Sequence, residues 1–586
     1  MLASGRFRRN LWLGVGGLAA LAILWVVVTG LLARQQVQRL EDRLQTVKLF
    51  VAQGRLNDAE HEAAGIPSLA KRAHLLTSGP AWWAMSEVPY FGDPFDVMRG
   101  ATAAGKFVGT DGLTTLLHIA NTLDPRTLRA SGNTVRLGPL QQAAPQLRIA
   151  AQQLDHAISQ VDHLPSNTWF GPINHARLSF SLQLHSIVGY VDAAANATQI
   201  LPTMLGADGT QRYIIAMQNE SEMRGTGGLP GAFAIVETHN GKVSFTHFGS
   251  DAEFLPAATK QRVHTGLDFG KDFDATYGNG DPANFIVNSN LSPNFPYAAQ
   301  IWSKMWTAVS GQHLDGAMAV DPSALAAFLA VTGPVTLPDG IAVSAANIVS
   351  LTEKDEYTLF SDNFARKDFL VSILKASSTK LTSGAGSATA LARAITTVSN
   401  QNRLQVWSSN PTVEKVLAGT TYGGVIPADN RPFSGVIVNN NAAGKLDYYM
   451  VRTLDYSRTG CGATRDVIAT ITITNSAPAF GLPPYVLGRL DKHDSSVQPG
   501  DNRTLLDYYA TSGAQLLSVT LNGKQSTVEV QSSLGHTIFR MDLELPRGQT
   551  QTIAMHLQEP AGTGTPMIWQ QPGVTPLVVH AFSQRC

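Results

Sequence analysis

The chain has 586 residues with 44 Lys+Arg and 44 Asp+Glu, so its formal net charge is zero, and only 15% of its residues are charged. A neutral chain lacks the basic face of a general nucleic-acid binder, and 44% hydrophobic content is enough to build cores. Two cysteines make neither a disulfide framework nor a four-thiolate zinc site. At roughly 150 residues per domain the length allows three to four domains.

Leu11–Ala33, LWLGVGGLAALAILWVVVTGLLA, carries no charge over 23 residues. A helix of about 20 residues crosses a hydrocarbon core of ~30 Å. A cleaved signal peptide has an apolar core of about 7–15 residues and a small-residue cleavage site. This run is longer and no A-x-A site follows, so it reads as an uncleaved, single-pass anchor. Arg6, Arg8 and Arg9 precede it, while Arg34, Arg39, Arg43 and Lys48 follow, so the flanking charge is nearly balanced. Long domains translocate largely regardless of charge, which places residues 1–10 in the cytoplasm. The bulk of the chain is then an extracytoplasmic part at the cell membrane.

Residues 34–205 read as a helical stalk or bundle. Val37, Leu40, Leu44, Val47 and Val51 place an apolar stripe on one helix face, which suits a dimerising coiled coil or packing within its own domain. Two heptads fall short of the three or four a coiled coil needs, which favours the second. Pro67, Gly79-Pro80 and Pro89 predict short helices. Trp82 and Trp83 read as packing anchors, with an interfacial role at the membrane as the alternative. Leu137–Leu164 and Ala176–Leu201 predict two longer helices.

The pattern changes near Gly206. Tyr213–Met217 predicts a buried strand, Gln218–Gly228 a polar, glycine-rich loop, and Phe233–Val236 a further strand. Asn240-Gly241 signals a hairpin, because both turn positions favour positive φ. Tyr297–Ser310 reads as a helix with Trp302 and Trp306 on one face. Ala317–Val320 reads as a strand, Pro322–Val331 as a helix, Gly333–Leu337 as a strand and Ala345–Lys375 as interrupted helix. This alternation predicts an α/β domain over 206–400. From 430 to 586 the character is β. Asp466–Asn475 alternates strictly, Asn522-Gly523 marks a second hairpin, and Phe539, Met541, Leu543 and Leu545 face one side. Strands at this spacing predict a β-sandwich-like domain. The fold class is α+β multidomain.

The sequence shows no P-loop, H-E-x-x-H or G-x-S-x-G. The informative segment is Tyr213–Gly231, YIIAMQNESEMRGTGGLPG. Ligands gather at the carboxyl ends of strands in open α/β sheets. Gly227 and Gly228 would let backbone N–H groups approach an anion. Arg224 would grip phosphate or carboxylate, and Glu222 would hold a hard cation such as Mg²⁺. The competing reading is a charged turn in which Glu222 and Arg224 pair locally.

The motifs QNESEMRGTGG, NLSPNFPYAAQIW (290–302) and LDGAMAVDPSALAAFLAVTGPV (314–335) resemble the bacterial envelope family catalogued as domain of unknown function number 4012. That resemblance implies membership and no activity. The run LDGAMAVDPSALAAFLAVTGPVTLPDG is also similar, more distantly, to the LytR–CpsA–Psr family. Those proteins are membrane-anchored phosphotransferases that move glycopolymers from a polyprenyl-pyrophosphate carrier to the cell wall. By this resemblance Asn219 stands where that family has its first aspartate. Arg224 stands at the arginine of its arginine-serine-aspartate motif, with Gly225-Thr226 in place of the last two residues. Asp321 falls at the strand-to-helix junction and Arg366, in DNFARKDFL, on a later helix.

The resemblance implies an anion site of Arg224, Arg366, Gly227 and Gly228. Glu222 or Asp321 would act as the catalytic carboxylate, holding Mg²⁺ or taking the acceptor's proton. The simpler readings are Asp321 as a helix N-cap before Pro322 and Arg366 as a surface arginine beside Asp362 and Asp368. Cys461 and Cys586 are either a disulfide, which an oxidising exterior permits, or two free thiols. Two functions follow: binding or transfer of a polyprenyl-pyrophosphate-linked glycopolymer, or a non-enzymatic envelope scaffold. A glycan hydrolase would need paired carboxylates on strand ends, and no such pair stands out.

Overall fold

The computed structural model describes residues 3–53, 55–112, 116, 119, 122–130, 133–255, 262–492 and 495–584. The chain divides into two compact units, Met1–Ala130 with Val135–Pro202, and Ser131–Thr134 with Thr203–Cys586.

The first unit is helical. One 50-residue helix, Ala3–Ala52, contains the whole apolar run and is long and apolar enough to cross a membrane. At 1.5 Å per residue, residues 11–33 reach about 35 Å. Further along this helix Val47 is buried, and Leu40 and Leu44 pack beside it against Ala59, Ala63 and Ile66. The stripe is therefore covered from within its own unit. Pro67, Pro80 and Pro94 open the helices Ile66–Thr77, Pro80–Ser86 and Asp93–Phe107, where the missing N–H has no partner to lose. The helices Leu137–Asp162 and Gly171–Met204 pair through Leu147, Leu154, Val188 and Val191.

The second unit begins with a mixed sheet. Strands β1 (Gln211–Arg224), β2 (Gly227–His239) and β3 (Lys242–Ser250) form an antiparallel meander. The β2–β3 turn is Asn240-Gly241, with φ of 47° and 80°. Strand β4 (Gly316–Val320) runs parallel to β1. A small ribbon of β5 (Val335–Thr336) and β6 (Ala342–Val343) follows. Strand β7 (Leu404–Ser408) closes the order β3-β2-β1-β4-β7. Both faces are covered. Ile214, Ala216, Phe233 and Ile235 meet helix Phe295–Ser310, with Trp302 fully buried. Met217, Ala232 and Ala234 on the opposite face share a core with helices Pro322–Thr332 and Asn363–Thr382. This period-2 division explains why these strands are apolar throughout.

The remainder is β. Strands β8 (Phe433–Asn440), β9 (Met450–Thr459), β10 (Thr464–Asn475), β11 (Asn502–Ala510), β12 (Gln515–Leu521), β13 (Lys524–Gln525), β14 (Glu529–Ser533), β15 (His536–Leu545), β16 (Thr550–Pro560), β17 (Met567–Gln570) and β18 (Val578–Ser583) form two sheets. Their orders are β13-β12-β16-β10-β9-β18 and β14-β15-β11-β8-β17. Val467, Ile471, Ile553 and Met555 of the first share one apolar core with Val436, Leu506, Phe539 and Leu543 of the second. Asn522-Gly523 forms the β12–β13 turn, with φ of 51° and 76°.

One expectation fails. Gln218–Arg224 is not an open loop but the continuation of β1. Its polar residues other than the half-buried Asn219 are buried, and distant parts of the second unit supply the partners that make this tolerable.

Candidate functional site

The parallel pairing of β1 and β4 sets their carboxyl ends side by side. At that end the β1–β2 register slips between Met217 and Gln218 and again between Asn219 and Met223. Glu220, Ser221 and Glu222 leave the ladder there, and buried N–H groups without partners are costly. Carboxylates from elsewhere replace the missing strand. The N–H groups of Glu220 and Ser221 donate to Glu353 at 3.1 and 2.5 Å, and that of Met223 donates to Asp447 at 2.8 Å. Burial, then the neighbouring Glu220, pushes the Glu353 carboxyl well above its usual range. Burial pushes Asp447 up to about 6.

Arg403, just before β7, is the hub of the strand ends. Its Nη1 lies 2.7 Å from Asp321 and 3.1 Å from Glu220, and its Nη2 donates to the carbonyl of Gly573 at 2.7 Å. Glu220 and Asp321 are fully buried. Burial, then the Asp321 carboxylate, pushes Glu220 up to about 8. Arg403 thus faces two buried carboxyl groups at once. Asp321 also caps helix Pro322–Thr332 by accepting from the Ala324 N–H at 2.6 Å, as its position before Pro322 predicts.

Arg224 is 4% exposed. Its Nη2 pairs with Glu222 at 2.7 Å, and three more of its hydrogens go to the carbonyls of Val287, Met223 and Asn440. The second oxygen of Glu222 pairs with Lys445. These two cations outweigh burial and hold Glu222 below the usual carboxylate range. The local Glu222–Arg224 pair is thus present, extended by Lys445 from the β-rich part. Mg²⁺ does not fit here, because cations already occupy both Glu222 oxygens. Among the described residues no group of three or more His, Cys, Asp or Glu is placed to share a metal ion.

Gly227 has φ 145°, open mainly to glycine. A Cβ on Gly228 would run into the Asn219 backbone. The Gly228 carbonyl accepts from Asn290 Nδ2 at 2.8 Å. Both glycines permit close strand approach at the bulge. Arg366 is not a surface arginine. It is 4% exposed, donates to the carbonyls of Phe360 and Ser361 at 2.9 and 3.2 Å, and stacks on Tyr485 with its guanidinium carbon 3.9 Å from the ring centre. Asp362 caps the helix instead, accepting from Ala365. Arg224 and Arg366 share no hydrogen-bond partner among the described residues.

A cleft of about 220 Å³ opens beside these groups, lined by Glu353, Lys354, Tyr357, Lys445, Tyr449 and Phe480. Part of its wall is a single π-helical turn, Leu351–Asp355, a distortion frequent at functional sites. Tyr357 bridges back to the bulge through Ser221 Oγ at 2.9 Å and Asn219 Nδ2 at 3.1 Å.

Residues 208–357 match the family model described as "Protein of unknown function (DUF4012)". The DUF4012 match runs from before β1 to Tyr357. It carries the bulge, Asp321 and Glu353, and stops short of Arg366, Arg403 and Lys445. No curated protein and no solved structure matches the chain. The LytR–CpsA–Psr resemblance therefore rests on sequence motifs alone.

Sequence reasoning missed Arg403, Lys445, Asp447, Glu353 and Gln571, whose Nε2 donates to the Arg224 carbonyl at 2.7 Å. None sits in a recognisable motif. Only the register slip at 219–223, with its stranded N–H groups, demands them. Cys586 lies outside the described residues. Close before it, Gln584 donates from its N–H to the Arg458 carbonyl, and its side chain accepts from Gly460, beside the turn that carries Cys461.

Proposed function

We propose that this chain is a single-pass, membrane-anchored envelope protein whose second unit is an extracytoplasmic binding or scaffolding element without transfer chemistry. The supporting observation is the state of the two arginines that a pyrophosphate clamp requires. Arg224 and Arg366 are each 4% exposed, and their donors go to internal acceptors. A phosphate would have to displace Glu222 from Arg224 inside a closed core, stripping a buried carboxylate of one of its two cations. The α/β region and the β-rich strands are joined through this same network, so it acts as a structural joint.

The test uses full-length protein purified in detergent, wild type and Arg224→Ala. The scaffold reading expects no polyprenyl phosphate or pyrophosphate in wild type by mass spectrometry, and a large fall in thermal stability for the variant. Copurified polyprenyl phosphate that Arg224→Ala abolishes while Tm stays unchanged would establish the transfer reading instead. A glycan-binding role would draw on the cleft where Lys354, Tyr449 and Phe480 meet solvent.

A further inference from the structure

The first unit carries an exposed aromatic cluster that no part of its packing uses. Trp83, Tyr90, Phe91, Trp169 and Phe170 are between 45 and 66% exposed, yet the last four touch in a chain of ring contacts. Ring centres lie 5.3 Å apart for Tyr90–Phe91, 6.3 Å for Phe91–Trp169 and 5.8 Å for Trp169–Phe170. The Trp169 indole N–H donates to the Phe91 carbonyl at 3.1 Å, which ties the two contributing turns together. The cluster is built and held: Tyr90 sits at φ 66°, a conformation that bulky side chains rarely adopt. Gly92 closes the same turn, with its N–H on the Val88 carbonyl at 2.7 Å. A Cβ there would press on the carbonyls of Ser86 and Val88.

What the cluster faces follows from its neighbour in sequence. Trp82 is buried, and its indole N–H donates to Thr29 Oγ1 at 2.8 Å. Its ring lies 3.4 Å from where a Cβ of Gly30 would stand, so the glycine lets it lie against the long helix. Thr29 and Gly30 belong to the apolar run that ends at Ala33. Thr29 is about 6 Å short of that end at 1.5 Å per residue. Trp82 thus pins the helix Pro80–Ser86 alongside the last turn of the membrane segment. Trp and Tyr concentrate at this depth, where an apolar ring meets hydrocarbon and a polar edge meets headgroups.

We infer that Trp83, Tyr90, Phe91, Trp169 and Phe170 form an interfacial foot that inserts into the lipid leaflet from which the anchor emerges. The inference rests on the anchored reading above. Trp82 fixes the foot to the anchor, and the exposed rings hold the base of the helical unit at the membrane surface.

The experiment places the photocrosslinker p-benzoylphenylalanine at Phe91, and separately at Phe480 in the second unit, in full-length protein. The protein is reconstituted in vesicles of phosphatidylglycerol and phosphatidylethanolamine. Carbonate-resistant association with vesicles reports the anchor by itself. Lipid adducts at position 91 and none at position 480 are the expected result. A dimer-sized adduct at 91, or no lipid adduct there in a chain that stays vesicle-bound, overturns the foot and leaves the anchor standing. Carbonate release of the whole chain overturns both. A second readout avoids the crosslinker: acyl-brominated lipids should quench part of the tryptophan emission. Trp83→Phe and Trp169→Phe should each lower the quenchable fraction, and an unchanged fraction in both variants refutes insertion.

Discussion

Replacing Arg403 with leucine tests whether the joint at the ends of β1 and β4 stabilises the second unit. Arg403 is 6% exposed, and its guanidinium lies 2.7 Å from Asp321 and reaches the Gly573 carbonyl. Arg403→Leu leaves the fully buried Asp321 carboxylate without its cation, and removing one member of a buried pair costs about 3–5 kcal/mol. At ~2–4 °C per kcal/mol for domains of about 150–250 residues, and less for a larger unit, Tm falls by roughly 5–15 °C. The double variant Arg403→Leu/Asp321→Asn removes both charges and keeps a good helix cap at 321. It should recover at least half of the loss, a coupling of more than about 1.5 kcal/mol in a double-mutant cycle. The assay is thermal and urea unfolding of full-length protein in one detergent, at pH 7. A cost below about 1 kcal/mol for Arg403→Leu, or a double variant no more stable than the single, would refute the buried-pair account.

Three further outcomes follow from the same geometry. Glu220 and Glu356 are pushed up to about 8 and Asp447 to about 6, each chiefly by burial, so the folded chain binds more protons than the unfolded chain across that range. Their stabilising contribution should be full below about pH 4 and be lost as pH rises, up to about 6 for Asp447 and about 8 for Glu220 and Glu356, at about 1.4 kcal/mol per pH unit for each group within its own window. Glu356→Gln should flatten that slope in urea titrations, because glutamine binds no proton in either state while Glu356 is pushed up to about 8 by burial. Gly228→Ala forces a Cβ into the Asn219 backbone and should cost at least about 3 kcal/mol, read as loss of soluble folded protein; a phosphate cradle predicts a folded variant that has lost only anion binding. Finally, intact-mass measurement without reductant should show the chain lighter by two hydrogens. Reduction should lower stability by up to ~4–5 kcal/mol for the long loop from Cys461 to Cys586.

The elements were legible where local chemistry decides them. Asn240-Gly241 and Asn522-Gly523 name their turns, because few residues accept φ near +50° followed by +80°. Asp321 before Pro322 names a helix start. The stripe from Leu40 to Val47 names a packed helix face, and Asp466–Asn475 a strand with one buried side. The run 218–224 was illegible because its state depends on residues that are remote in sequence. Asn-Glu-Ser-Glu beside glycines favours a loop by propensity, and β1 overrides that preference. Arg366 was misread for the same reason: Asp362 and Asp368 suggest solvent, whereas the Tyr485 ring that covers it arrives from more than a hundred residues later.

Ligand sites and buried joints draw on the same residue types, because both must satisfy charge where water is scarce. What separates them is whether donors remain unused. Every ionisable side chain in QNESEMRGTGG has a partner: Glu220 has Arg403, while Glu222 has Arg224 and Lys445. Arg224 lies inside the DUF4012 match at 208–357, whereas Arg403 and Lys445 lie beyond it. The matched segment therefore does not close its own charge balance and needs Arg403, just before β7, and Lys445, between β8 and β9, to do so. A fragment ending near residue 360 would keep the Glu222–Arg224 pair but lose Lys445 from Glu222 and Arg403 from Asp321 and Glu220, and we expect it to be insoluble or unfolded. A fragment of residues 203–586, which keeps Arg403, Lys445, Asp447 and Gln571, should give a cooperative transition close to that of the full chain. If the short fragment instead folds with its own sharp transition, the charge network is not what holds the second unit together.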